Sequence, residues 1–251
     1  TAAIENAATL AEVEDLYRPY KQKRRTRATA AREKGLAPLA ERLLAQRADC
    51  PDPAEAAADY IDPEKGVETA ADALQGANDI IAEVISDDAA IRKTLRGLLM
   101  RQGRLKSVAA SEEDSVYRLY YDFEQSLSKL AGHQVLAIDR GEKEGFLTVT
   151  VLLDRNAALP ALRRAVVKPG SRAMDFIKAA CEDAYDRLIY PSLEREARSA
   201  LTDSACEGAI GQFALNLKPL LLQPPVKGHV TMGLDPGYAH GCKVAVVDGT
   251  G

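Results

Sequence analysis

The first half of the chain places Leu, Ile, Val and Ala three and four positions apart, the spacing that lines one face of an α-helix. Leu10, Val13, Leu16 and Tyr17 form such a stripe behind Thr9-Leu-Ala-Glu12, which has the spacing of a capping box, and Pro19 limits the helix. Asp52-Pro-Ala-Glu55 repeats the device, with Pro53 at the first helical position, where its missing N–H is least needed. Thr69-Ala-Ala-Asp72 opens another helix, whose apolar stripe is Leu74, Ala77, Ile81, Val84 and Ile85. Ser86 or Asp87 is expected to cap the next one, which runs through Ile91, Leu95, Leu98 and Leu99 and ends near Gly103. Gly35 and Gly66 fall where helices stop or the chain turns.

After Gly132 the period changes. Gln134 to Asp139 and Phe146 to Leu153 are rich in Val, Leu, Ile and Thr and flank Arg140-Gly-Glu-Lys-Glu-Gly145, a pattern that predicts a β-hairpin. Helices return from about Ala173, with Ser171 as the expected N-cap. One passes through Ile177, Ala180 and Leu188, one follows Pro191, and a long one reaches Leu222. Gln223-Pro-Pro225 reads as a stiff linker. Beyond it, Val230 to Leu234 and Lys243 to Val247 read as two strands joined by a glycine-rich turn. No repeat of ~20–50 residues is evident. The fold class predicted is mainly α, with an inserted β-hairpin and a second hairpin at the C-terminal end.

Composition narrows the function classes. The 251 residues are 46% hydrophobic and 28% charged, with 5% aromatics and no Trp, which fits closely packed helices better than a β-sandwich. No apolar run reaches the ~18 residues of a membrane span. The four cysteines, Cys50, Cys181, Cys206 and Cys242, form no CxxC pair, so they read as free thiols of a reducing, cytoplasmic compartment. His133, His229 and His240 make no metal-ligand pattern, and no metal or other cofactor is expected. The chain opens on Thr1 and stops at Gly251 just after a strand, which suggests a piece of a longer protein.

The net charge of −4 hides one basic island. Residues 18 to 34 hold eight basic side chains and one acid, beside Tyr17 and Tyr20. Lys21, Lys23, Arg24, Arg25 and Arg27 crowd into seven residues, a density suited to phosphate contacts with RNA or DNA. The competing reading is a solvated turn paired with acidic helix faces. Lys168-Pro-Gly-Ser171 reads as a plain helix start, and the carboxylates of Glu142 and Glu144 have no nucleophile beside them. At the other end, Val230-Thr-Met-Gly-Leu-Asp-Pro-Gly237 followed by Lys243-Val-Ala-Val-Val-Asp-Gly249 is how ribonuclease-H-like folds open. In nucleases of that fold the Asp at the Asp235 position helps to hold Mg²⁺. Here the further carboxylates of a two-metal site do not follow, and Tyr238 stands where phosphate-binding hairpins carry Ser or Thr. No GxSxG, Walker A or dinucleotide motif occurs. No enzymatic activity is expected.

Several segments in order resemble the bacterial Tex transcription accessory proteins. Glu14-Asp-Leu-Tyr-Arg-Pro-Tyr-Lys-Gln-Lys-Arg-Arg-Thr-Arg-Ala28 is similar to that family's N-terminal signature. Ala31-Arg-Glu-Lys-Gly-Leu36, Ile138-Asp-Arg-Gly-Glu-Lys-Glu-Gly145 and Leu222-Gln-Pro-Pro-Val-Lys-Gly228 fit the family in order. Gly233-Leu-Asp-Pro-Gly237 and Gly241-Cys-Lys-Val-Ala-Val-Val-Asp248 resemble the start of its YqgF-like domain. The resemblance implies an N-terminal helical domain at 1–132, a hairpin and central helices at 133–222, a linker at 223–228 and the start of a YqgF-like domain at 229–251. It implies a non-catalytic region that binds nucleic acid or serves as a scaffold in transcription. The alternatives are a metal-dependent nuclease using Asp235, and a protein-only module docking RNA polymerase or the ribosome.

Overall fold

The fold is that of a computed structural model, which describes residues 2–22, 24–224, 228–237 and 239–250. Lys23, Tyr238 and residues 225–227 of the expected linker lie outside the described residues. The architecture is mainly α. In chain order the elements are α1 (Ala2–Glu5), α2 (Leu10–Tyr17), α3 (Arg27–Glu33), α4 (Ala37–Ala45), α5 (Pro53–Ala58), α6 (Ala70–Ser86) and α7 (Ala89–Gln102). There follow β1 (Arg104–Ala109), β2 (Asp122–Ser126), α8 (Gly132–Lys143), β3 (Leu147–Leu152), α9 (Arg155–Val166) and α10 (Met174–Asp183). Last come α11 (Tyr190–Leu221), β4 (Thr231–Asp235) and β5 (Lys243–Val247). The chain divides into two compact units, Thr1–Ser204 and Ala205–Gly251.

In the first unit α6 is the element on which the others pack: α3, α4, α5 and α10 all lie against it. Thr69 caps it in a reciprocal box, its hydroxyl accepting from Asp72 N (3.1 Å) while Asp72 Oδ2 accepts from Thr69 N (2.9 Å). Small side chains let the neighbours approach. Ala73, Gly76, Ala77 and Ala82 are buried along it, and a Cβ on Gly76 would stand 2.3 Å from Leu36 Cδ1. The next helix starts at Asp88, whose carboxylate accepts from Ile91 N (2.9 Å), one or two residues beyond the expected Ser86 or Asp87. Cys50 and Cys181 are buried thiols, and burial pushes the Cys181 pKa up to about 11.

The expected hairpin at 134–153 is not formed. Gln134 to Asp139 lies within α8, and only the second half, β3, is a strand. Val135, Ile138 and Gly141 are the buried positions of α8, the three-residue spacing of one helical face, although a short apolar run by itself fits a strand as well. The Arg140–Gly145 segment is a helix end rather than a strand turn. Gly145 adopts φ +83°, and Phe146 N donates to Gly141 O (2.9 Å), closing a glycine C-cap. β3 instead pairs antiparallel with β1, whose other side carries β2, in the order β2-β1-β3.

Further on, α10 begins at Met174; Ser171 accepts from Ala173 N (3.2 Å) but stands before the N-cap, Ala173. Pro191 does not separate two helices. The helical path runs from Met174 to Leu221 through a π-turn at Ala184–Ile189. The wider turn just before Pro191 relieves the clash of its ring with the preceding turn. In the second unit, β4 and β5 form the expected two-stranded antiparallel hairpin, with Asp235 opposite Lys243 and all ten strand residues exposed. Gly237 permits the turn, because a Cβ there would meet the Gly241 carbonyl oxygen at 2.6 Å.

Two glycines of helical interiors should therefore respond oppositely to alanine. Gly76→Ala must displace the buried Leu36 side chain and should cost about 1–3 kcal/mol. Gly97→Ala meets only the flexible end of Arg101, at 3.2 Å, and should gain up to ~1 kcal/mol from helix propensity. Urea denaturation of both variants checks the pair, and a stabilised Gly76→Ala would contradict the close packing on α6.

Candidate nucleic-acid interface

The basic island begins where α2 ends. Arg18-Pro-Tyr20 tightens into a 3₁₀ turn with Pro19 in its first turn. Further on, Thr26 caps α3, its hydroxyl accepting from Thr29 N (3.1 Å) while Thr29 Oγ1 accepts from Thr26 N (2.7 Å). The end of α2 is fixed by a buried ion network. Arg92 on α7 donates from Nε to Asp15 Oδ1 (2.5 Å), and the two side chains are 2% and 5% exposed. Arg96 Nη2 donates to the other Asp15 oxygen (2.6 Å), and its Nε pairs with Glu196 of α11. Burial works against the charge of Arg96, but the hydrogen bonds to Glu196 and Asp15 prevail and hold its pKa above the ordinary value. Arg92 Nη2 also reaches Ser192 (3.2 Å) and Glu196 (3.4 Å). Thus α2, α7 and α11 are joined at one point.

The island divides into two sets. Arg18 lies 3.3 Å from Asp87 Oδ1, and burial, followed by the nearby Arg92 charge, lowers its pKa. Arg32 Nη1 donates to Glu83 Oε2 (2.6 Å), whose other oxygen accepts from Thr26 Oγ1 (3.1 Å). Lys34 Nζ donates to Gly66 O (2.8 Å). These outer members lock the island onto α6 and neighbouring segments. Arg25 forms an exposed pair with Glu33 (3.0 Å), a contact of little energy in water. Lys21, Arg24 and Arg27 are exposed and make no ion pair within 4 Å among the described residues. Tyr17 and Tyr20 stand beside them, 53% and 80% exposed. An open groove lined by Pro19, Lys21, Thr29 and Arg32 runs along this face, with Glu83 and Asp87 in its wall. Cations on a fixed backbone beside exposed rings can contact phosphates and stack on bases.

Of the five residues to which the sequence assigns phosphate contact, Lys21, Arg24, Arg25 and Arg27 lie in the exposed set and Lys23 lies outside the described residues. Arg18 and Arg32 carry no sequence mark of their anchoring, since Asp87 and Glu83 lie more than fifty residues away. Asp235 lies in the second unit, exposed, 4.0 Å from Lys243 Nζ. Among the described residues no group of three or more His, Cys, Asp or Glu side chains could hold a metal ion. No helix of the described residues is long and apolar enough to cross a membrane.

A family model described as "Tex central region-like" matches residues 49–213. The chain belongs to the Tex family. It is 45% identical over 99% of its length to an uncharacterized protein, YdcI, of Bacillus subtilis, covering 35% of that protein. It is 37% identical over 100% of its length to the transcriptional accessory protein Tex of Neisseria gonorrhoeae, covering 34% of it. Human S1 RNA-binding domain-containing protein 1 is 34% identical over 99% of the chain, which covers 26% of that relative. The chain thus spans about a third or less of the length of these Tex-family relatives.

Asp15→Asn should expose how much the network carries. It takes the nearest carboxylate from buried Arg92 and leaves it only Glu196 at 3.4 Å, so about 3–5 kcal/mol of stability should be lost. Lys93→Gln, which removes only an exposed pair with Glu12, should stay within about 1 kcal/mol. Chemical denaturation of the two variants tests the contrast, and equal small losses would show that the buried network is dispensable.

Proposed function

We propose that this Tex-family chain is a non-catalytic scaffold that contacts RNA or DNA through Lys21, Arg24 and Arg27, with Arg25 as an adjoining contact. The observation that carries the reading is the division of the basic island. Its flanks are tied to Glu83 and Asp87, while Lys21, Arg24 and Arg27 make no ion pair within 4 Å among the described residues and stand beside two exposed tyrosine rings. Like charges held close together are offset when phosphates bind and release their condensed counterions. The names of two relatives, a transcriptional accessory protein and an S1 RNA-binding protein, support the same direction. Contacts of this kind are sequence-tolerant, since they read the backbone rather than base edges. We take the expected boundary at 223–228 and the YqgF-like start at 229–251 as part of this proposal, with RNA polymerase or the ribosome as the assembly served.

Neutralising Lys21, Arg24 and Arg27 together to Gln should weaken binding to all duplex sequences alike. It should flatten the dependence of log K on log salt by roughly 2–3, at about 0.9 per lost contact. Stability should change by less than about 1 kcal/mol, because the three side chains are exposed and make no ion pair among the described residues. Fluorescence anisotropy across a salt series measures the slope; unchanged affinity would reject the interface. The non-catalytic part has its own test. Asp235→Asn should leave folding unchanged and remove no hydrolysis of RNA or DNA in Mg²⁺. Metal-dependent cleavage by the wild type that this substitution abolishes would establish the nuclease alternative.

A further inference from the structure

The two outer edges of the sheet β2-β1-β3 are treated differently. Leu127 N donates to Gly103 O (3.0 Å) and Ala109 N to Tyr121 O (3.0 Å), which fixes the parity of the β1–β2 ladder. Residues 121, 123, 125 and 127 turn their backbone groups toward β1. Asp122, Glu124 and Ser126 therefore turn their N–H and C=O groups away from it. On the opposite edge, Ala110 N donates to Phe146 O (2.9 Å), so Leu147, Val149 and Val151 of β3 face outward. That edge is covered at Val151: its N–H donates to Glu194 Oε1 (2.8 Å), and Tyr190 OH donates to its carbonyl. No such cap covers β2. The outward N–H and C=O of Asp122 and Glu124 and the outward N–H of Ser126 meet no hydrogen-bond partner among the described residues, while the Ser126 carbonyl starts the 3₁₀ turn Leu127–Lys129.

The surroundings of the open edge have a distinct chemistry. The segment leading into β2 carries Glu112, Glu113 and Asp114, and β2 adds Asp122 and Glu124. Over residues 112–124 the only opposing cation is Arg118, which pairs with Asp114 at 3.7 Å. Arg104 of β1 binds Glu124 (2.6 Å) from one strand further in, while Asp122 makes no ion pair within 4 Å among the described residues. Two apolar side chains stand in this acidic field: Val116 and Leu119, 88% and 84% exposed. They are held there rather than loose. Tyr117 between them is buried, with its hydroxyl on Glu144 Oε2 (2.8 Å), and Tyr121 OH reaches Ser115 Oγ (2.8 Å). Tyr120 packs edge-on against Phe123 at 5.4 Å between ring centroids.

We propose that the open edge of β2 docks an extended, lysine- or arginine-rich segment of a partner protein, which adds to the sheet as a fourth strand. Its backbone would satisfy the outward N–H and C=O of Asp122 and Glu124 and the outward N–H of Ser126. Its cations on the solvent face would stand beside Asp122 and Glu124. Its apolar residues would lie by Phe123, Leu119 and Val116. Charge complementarity selects this occupant: an acidic segment would meet five carboxylates, and a nucleic acid would meet them too.

The test uses the whole chain and a fluorescein-labelled Lys-Val-Lys-Val-Lys-Val-Lys peptide as probe, followed by anisotropy. It should bind at least tenfold more tightly than Lys-Pro-Lys-Pro-Lys-Pro-Lys, which has the same charge but too few N–H donors. Glu124→Pro removes an outward N–H without touching the β1 ladder and should weaken binding at least tenfold, whereas Glu124→Gln should weaken it about threefold. If circular dichroism shows that Glu124→Pro unfolds, two probes N-methylated on alternate sets of amides decide instead. Loss of binding with one set only supports strand addition. Equal binding of the Val and Pro probes, indifference to a folded Glu124→Pro, or indifference to both methylation sets would overturn the proposal.

Discussion

Close approach to α6 is the constraint on which the first unit depends. A helix buried by α3, α4, α5 and α10 has little room for large side chains on every face. It meets the demand with Ala73, Gly76, Ala77 and Ala82, while Ile80, Ile81 and Ile85 supply the bulk of its buried apolar surface. Gly76 is the tightest point, since Leu36 at the head of α4 occupies the space its side chain would need. Such packing makes the position of α3 a consequence of α6, and with it the direction in which the basic segment before α3 faces.

Electrostatics then completes what packing begins. The acidic residues of α6 that approach the surface, Glu83 above all, take up Arg32 and Thr26. The Asp15–Arg92–Arg96–Glu196 cluster does the same for α2. Paired charges at low exposure are costly to form and costly to break, which suits them to fixing one arrangement among several rather than to adding stability. Lys21, Arg24 and Arg27 are left without an ion pair within 4 Å among the described residues. The candidate interface is thus what remains of a basic segment after its ends have been used to hold it in place.

The small sheet shows the same economy at its edges. Helix α11 brings Tyr190 and Glu194 to β3 and caps its edge at Val151, whereas no such cap reaches β2 among the described residues and its edge carries charged side chains of its own. Acidic edge residues discourage pairing between copies of the same edge, because like charges would be brought together. They leave pairing with a basic strand open.

Much of this was legible from residue order alone. Caps at Thr9, Asp52 and Thr69, the turn glycines Gly35 and Gly66, the mainly helical class and the β4–β5 hairpin each depend on neighbours a few residues apart. Family membership was legible too, because motif order is a property of the chain. Where the sequence failed, the deciding partner was distant. Val135, Leu136 and Ile138 suit a strand or a helix equally, and burial of one helical face chose the helix. β3 paired with a strand some forty residues earlier, one whose two buried positions are Leu105 and the polar Ser107. The division of the basic island required Asp87 and Glu83, which no local pattern connects to Arg18 and Arg32. Local hydrogen bonds and periodicity are written in the order of residues, while ladders, buried ion pairs and uncovered edges exist only once remote segments meet.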